Sequence, residues 1–296
     1  MAVWVRSNVI DYSSTSLQAR IVFHASFALR WLYTMMEISD SMTSKEIEKQ
    51  ITDLEPWFYE FNLGNGFRTK SALPTDVQEI FHTRLRMTQD VVVQHFKDRL
   101  SKIQCIDVGC HEGFYSMAMA SLGVSRVLGI DVREKSLAKA KFVADTIQSQ
   151  NIEFEAGNCE DLSIENSGRF ELSLFLGVMY HLENPMRCLR NIASITTDLC
   201  VIETQVVTEV VGSTEWGAKD WTRPYQGVLA LIDESDEFSA GNAETGASPV
   251  ATCPSLRALL FMLKQAGFRR VDLIKPPPGS YEQHRRGKRV VCAAYK

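Results

Sequence analysis

The stretch Cys105-Ile106-Asp107-Val108-Gly109-Cys110-His111-Glu112-Gly113-Phe114 is followed, eighteen residues after Gly113, by Asp131 at the end of Val127-Leu128-Gly129-Ile130. An apolar run, a glycine turn, a helix and a second apolar run closing on a carboxylate are the parts of a βαβ unit that holds an adenosine ribose. A glycine pair alone is ordinary turn punctuation. The acid at the end of the second run makes it a candidate nucleoside site.

Glycine spacing narrows the ligand. A dinucleotide turn reads Gly-x-Gly-x-x-Gly: its middle glycine lets the backbone approach a pyrophosphate, and its third lets helix and strand pack closely. Counted from Gly109, those places hold His111 and Phe114, whose side chains would crowd a pyrophosphate. S-adenosylmethionine has none, and asks only for a backbone turn under its methionine portion and an acid for its ribose diol. The loop therefore favours this methyl donor over a nicotinamide, with Asp107, Gly109, Cys110, His111, Gly113 and Asp131 as cofactor-binding candidates.

The 296 residues, 45% hydrophobic and 23% charged, suffice for one sizeable core plus an accessory element. A net charge of −4 supplies no global basic field, which weighs against a nucleic-acid acceptor without excluding one. Seven cysteines without a Cys-x-x-Cys pair offer neither a metal site nor a disulfide framework, so a reducing cytoplasm is expected. Cys105, Cys200 and Cys292 sit in apolar runs, where a thiol behaves as a small hydrophobe. Ile21 to Met36 is apolar but short and broken by His24 and Arg30; it reads as an amphipathic helix or an appended terminus, with an interfacial anchor as the alternative to no membrane contact.

Three parts follow in order: an N-terminal extension (1–41), a helical accessory region (42–100) and an α/β domain (101–296) interrupted by a lid-like insertion (206–252). Thr43 or Ser44 can cap a helix carrying Ile47, Ile51 and Leu54. Strands are expected at 104–108, 126–130, 152–155, 171–176, 199–204, 269–274 and 289–294. The fold class is α/β: a doubly wound, mostly parallel seven-stranded sheet with an antiparallel C-terminal hairpin, since Pro276-Pro277-Pro278-Gly279 forbids a helical crossover between the last two strands. The insertion carries Trp216, Trp221 and Tyr225 and a polar stretch at 234–248, and reads as a lid over an acceptor site.

The run Phe175-Leu176-Gly177-Val178-Met179-Tyr180-His181-Leu182-Glu183-Asn184-Pro185, then Leu189 and Val201-Ile202-Glu203-Thr204, resembles the class I methyltransferases related to the tRNA wobble-uridine carboxymethyl transferase. The similarity covers roughly residues 100–205 plus the terminal strand. It implies a Rossmann-like methyltransferase fold with the glycine turn at Gly109, the ribose acid and its successors at Asp131, Val132 and Arg133, and an adenine-side pair at Cys159 and Glu160. It also implies Leu176 and Tyr180 at the reactive end, and Arg289, in Lys288-Arg289-Val290-Val291, as the arginine that grips a carboxylate. Where that family holds a carboxylated donor with a lysine in Trp-Arg-Lys-Gly-Pro-Phe, this chain has Leu63-Gly64-Asn65-Gly66-Phe67. Ordinary S-adenosylmethionine and plain methyl transfer are expected instead.

A sulfonium is already activated, so transfer asks for alignment and exclusion of water, and for a base only when the acceptor must lose a proton. Tyr180, His181 and Arg289 are the catalytic candidates: Tyr180 orienting an acceptor, His181 taking a proton, Arg289 holding a carboxylate. Blander readings stand beside these: packing for Tyr180 and His181, inter-element glue for Trp57, Phe58, Tyr59 and Phe61, ion pairing for Glu203, and a solvated hairpin for His284 to Arg289; Glu112 reads either as support for the cofactor ammonium or as helix-dipole compensation, and Arg84 and Arg86 as surface or cleft charges. The leading expectation is a small-molecule acceptor, with tRNA as the alternative partner and a noncatalytic binding scaffold as the third reading.

Overall fold

The computed structural model describes residues 9–10, 42–242 and 244–296. The expected helix at Ile21–Met36 therefore lies outside the described residues. Among the described residues no helix is long and apolar enough to cross a membrane.

Seven strands build the central sheet: β1 (Gln104–Val108), β2 (Arg126–Asp131), β3 (Ile152–Ala156), β4 (Phe170–Leu176), β5 (Thr196–Gln205), β6 (Arg270–Ile274) and β7 (Arg289–Tyr295). Their order is β3-β2-β1-β4-β5-β7-β6, and Val9–Ile10 adds a short eighth strand parallel to β6 at the edge. The pairs from β3 to β5 are parallel, while β7 runs antiparallel to both β5 and β6. The sheet thus has the expected seven strands and C-terminal hairpin, extended by one pair of residues that sequence reading did not assign.

Helices cover both faces. On one side lie α1 (Ser44–Asp53), α2 (Thr75–Phe96), α3 (Phe114–Ser121) and α4 (Glu134–Thr146), packed over Cys105, Leu172, Leu174 and Val201; on the other lie α5 (Pro185–Ile195) and α6 (Leu256–Ala266), over Ile106, Val108, Phe175 and Ile202. Successive side chains of a strand point to opposite faces, so each of these apolar strands serves two cores at once. Local chemistry sets the helix ends. Thr43 and Glu46 close a capping box on α1, Pro185 starts α5, and Ser255 caps α6, which stops at the left-handed Gly267.

The accessory region is sealed to the sheet domain by aromatic side chains and one carboxylate. Trp57 and Phe61 are buried in the core, and Tyr59 stacks on Phe114 at 4.7 Å and 6°. Glu112, fully buried in the glycine turn, accepts from the Phe58 and Tyr59 backbone N–H groups at 2.9–3.0 Å and pairs with Lys139 Nζ at 2.7 Å. Its carboxylate is thereby spent on holding segment 56–61 against the turn, a structural role that the helix-dipole reading did not foresee.

The insertion forms two hairpins, Ser213–Glu215 with Thr222–Pro224 and Leu229–Asp233 with Val250–Pro254. The second lies across the end of β4: Thr252 Oγ1 donates to the Leu182 carbonyl at 2.7 Å, and Ser248 Oγ to Glu183 at 2.8 Å. Glu112→Ala would leave the Phe58 and Tyr59 N–H groups without an acceptor and Lys139 Nζ with the Pro56 carbonyl alone, so we expect a loss of about 2 kcal/mol in urea unfolding, with faster hydrogen exchange at Phe58 and Tyr59.

Candidate active site

The carboxyl ends of parallel strands leave a crevice where the strand order reverses, here between β1 and β4. The cleft at that point has an empty volume of about 1080 Å³, its open mouth included, and is lined from β1, β2 and β4, the accessory region, the insertion and β7.

At its nucleoside end, Asp131 closes β2 nearly buried. One carboxylate oxygen accepts from the His111 N–H and the other from the Arg133 N–H, both at 2.9 Å. These bonds use one acceptor site on each oxygen and leave others for a diol. Burial raises the Asp131 carboxyl while the N–H groups of Arg133 and His111 pull it back. Gly109, at φ +74°, lets the turn lie directly on Val178; a Cβ there would collide with Cγ2 of that residue. Val132, Cys159 and Asn158 flank this end, and Val132 is 45% exposed, an apolar surface for a planar base to cover. The Cys159 thiol meets that of Cys188 at 2.9 Å.

His111 holds a left-handed backbone (φ +52°) and points its ring into the cleft against Phe58, 4.8 Å between centroids. Burial, with Lys139 and Arg133 adding to it, pushes the imidazole down to about 3, so it is neutral, and both ring nitrogens are buried without a hydrogen-bond partner in the protein. Orphaned polar atoms beside a pre-formed turn are what a bound amino-acid moiety would satisfy.

The opposite end is ionic. Glu203 of β5 is fully buried, with Arg84 of α2 at 2.9 Å from one oxygen and Arg289 of β7 at 3.2 Å from the other; His284 Nε2 lies 3.4 Å away. Arg289 also donates to the Tyr180 hydroxyl at 3.1 Å and to Gln283 at 2.8 Å, and Arg84 to the Tyr115 hydroxyl at 3.3 Å. Burial alone would raise the Glu203 carboxyl, but the two guanidinium groups hold it down at about 2. Burial likewise opposes both arginine charges, but Glu203 together with neighbouring tyrosine hydroxyls overcomes it. Two cations against one anion leave this trio with a positive charge in excess. On the roof, Glu244 faces Arg289, its carboxyl raised by burial and pulled back by that arginine.

The structure brings ten of the fourteen expected residues into the cleft wall. Gly109, His111, Asp131, Val132, Arg133, Cys159, Leu176, Tyr180, His181 and Arg289 line it. Asp107, Cys110, Gly113 and Glu160 do not. Asp107 is buried behind the turn, accepting from Ser116 Oγ at 2.7 Å, with burial raising its carboxyl to about 7. Cys110 is buried under the turn, Gly113 caps α3, and Glu160 faces Asn184 and Arg187 at the surface. The basic run 284–289 divides: His284 and Arg289 are buried, whereas Arg285, Arg286 and Lys288 are exposed. Arg84, expected as a surface or cleft charge, lines the cleft, but its burial against Glu203 was not read from the sequence, since no local pattern shows the partner placed opposite it.

Residues 100–224 match the family model described as a methyltransferase domain. The chain is 34% identical over 88 residues to the tRNA U34 carboxymethyltransferase of Campylobacter fetus subsp. fetus (strain 82-40), covering 30% of each chain. It is 30% identical over 92 residues to the ubiquinone biosynthesis O-methyltransferase of Albidiferax ferrireducens, covering 31% of this chain and 36% of that one. The matches thus span about a third of these curated relatives. A crystal structure of the N-terminal domain of EvdMO1 with SAH and D-fucose superposes with a TM-score of 0.63 at 21% identity, over 88% of this chain and 99% of that one, a likeness of fold.

Replacing Glu203 with Gln leaves two buried guanidinium groups facing a neutral amide, and we expect about 3 kcal/mol of lost stability at neutral pH. A carboxyl lowered from 4.5 to about 2 contributes stability that is fully present above pH 4.5 and lost as pH falls toward 2. The gap between wild type and Glu203→Gln in denaturant unfolding should therefore narrow over that window.

Proposed function

We propose that the chain is an S-adenosylmethionine-dependent methyltransferase acting on a small acceptor that carries a carboxylate or similar anion. The observation that carries this reading is that one cleft joins a pinned ribose acid, Asp131, to a buried cationic floor, Arg84 and Arg289. The donor supplies an activated methyl group on a sulfonium. Asp131 accepts from the ribose hydroxyls, Val132 and Cys159 bracket the adenine, and the turn at Gly109 to His111 takes the methionine portion.

Arg289 and Arg84 then hold the acceptor's anion, with Tyr180 orienting it, and burial makes that electrostatic grip strong. Residues 244–247 roof the cleft, and the insertion as a whole serves as the lid that excludes water. Relatives named for O-methylation in ubiquinone biosynthesis and a fold neighbour holding SAH and a sugar support this class of reaction. The exposed Arg285, Arg286 and Lys288 beside the buried Arg289, together with the tRNA-modifying relative, favour a wobble-uridine acceptor as the second reading.

Calorimetry should show S-adenosylhomocysteine binding that Asp131→Ala weakens by about 100-fold, the loss of two charged hydrogen bonds. Methyl-labelled donor incubated with a small-molecule extract or with bulk tRNA should label the extract. Label in tRNA would select the second reading, and a transferred carboxymethyl group would overturn plain methyl transfer.

A further inference from the structure

Glu234 belongs to the insertion, 53 residues along the chain from His181, yet its carboxylate lies 2.8 Å from His181 Nδ1. Its other oxygen accepts from the Gly246 N–H at 3.3 Å. Gly246 packs so closely that a Cβ there would collide with the His181 carbonyl oxygen. The His181 ring sits 4.3 Å from that of Tyr180, whose hydroxyl is bonded to Arg289. Anion grip and imidazole therefore adjoin one another in one cleft.

We infer that Glu234 and His181 form a proton-accepting dyad for a hydroxyl acceptor, so that the substrate class is a hydroxy acid methylated on oxygen. This inference rests on the methyl-transfer reading above. A carboxylate on Nδ1 fixes the tautomer with the proton on that nitrogen and leaves Nε2 with its lone pair. In the reaction the acceptor O–H gives its proton to Nε2. The oxygen lone pair forms the new O–CH3 bond as the S–CH3 bond breaks, and that bond's electron pair stays on sulfur, turning sulfonium into neutral thioether. The imidazolium so formed is stabilised by the Glu234 carboxylate. Glu234 is a positioning residue: it touches the reaction only through His181, and it arrives with the insertion, which therefore completes the site as well as covering it.

The charged groups facing His181 are Glu234 from the insertion, Arg289 from β7 and Arg133 from the loop after β2. Burial lowers the imidazole, Glu234 raises it, and the two arginines lower it further, so the free base prevails at neutral pH.

The test uses nitrogen-15 NMR of the full chain saturated with S-adenosylhomocysteine, with wild type, Glu234→Gln and His181→Ala compared. The His181 signals, assigned by their loss in His181→Ala, should show a proton on Nδ1 and a bare Nε2 at pH 7.5. In Glu234→Gln the titration midpoint should move to lower pH and the tautomer preference should weaken. In the label-transfer assay with small-molecule extract, Glu234→Gln should reduce turnover about 100-fold and His181→Ala at least as much, with S-adenosylhomocysteine affinity unchanged. A proton on Nε2 in the wild type, an imidazolium at pH 7.5, or full turnover by His181→Ala overturns the dyad while leaving methyl transfer standing. Absence of S-adenosylhomocysteine binding overturns the underlying reading instead.

Discussion

Glu203 is a carboxylate with no access to water, and its burial is tolerable only because two guanidinium groups close on it. The three partners come from separate parts of the chain: Arg84 from accessory helix α2, Glu203 from β5, and Arg289 from the C-terminal strand β7. One ion cluster therefore fastens the accessory region and the hairpin to the middle of the sheet. Arg84 and Arg289 of the same cluster line one end of the cleft, so what joins these parts also gives that end its positive charge.

At the other end the constraint is steric. The glycine turn is pressed between Val178 on one side and segment 56–61 on the other, with Glu112 binding the latter's backbone N–H groups. That arrangement leaves His111 in a left-handed conformation with its ring in the cleft, and leaves Asp131 anchored through both oxygens. The insertion contributes the roof, through Thr245, Gly246 and the contact of Arg133 with the Thr245 carbonyl.

Much of the scaffold was legible along the chain. Largely apolar runs, punctuated by glycines and helix caps, marked the inner strands, because a strand buried on both faces has to be mostly apolar, while β3 at the edge shows instead the alternation Ile152-Glu153-Phe154-Glu155-Ala156. Proline-rich 276–279 correctly announced an antiparallel partner for the last strand. The two-residue strand Val9–Ile10 was not legible, because a pair of apolar residues carries no periodicity. The buried partners of Glu112 and Arg84 were not legible for the same kind of reason: one dimension shows a residue's neighbours in sequence and not the carboxylate or N–H groups across the fold.

The sequence by itself determined the Asp131 half of the cleft, since a turn and the acid that follows it lie within one βαβ unit and their spacing is set by local geometry. Only the tertiary structure decided the ionic half. Register in the antiparallel β5–β7 pair sets Val291 opposite Glu203 and so brings Arg289 beside that carboxylate, while the insertion folds back to set Glu234 against His181. Contacts between residues 53, 86 and more positions apart are fixed by strand register and loop packing, and no local pattern encodes either.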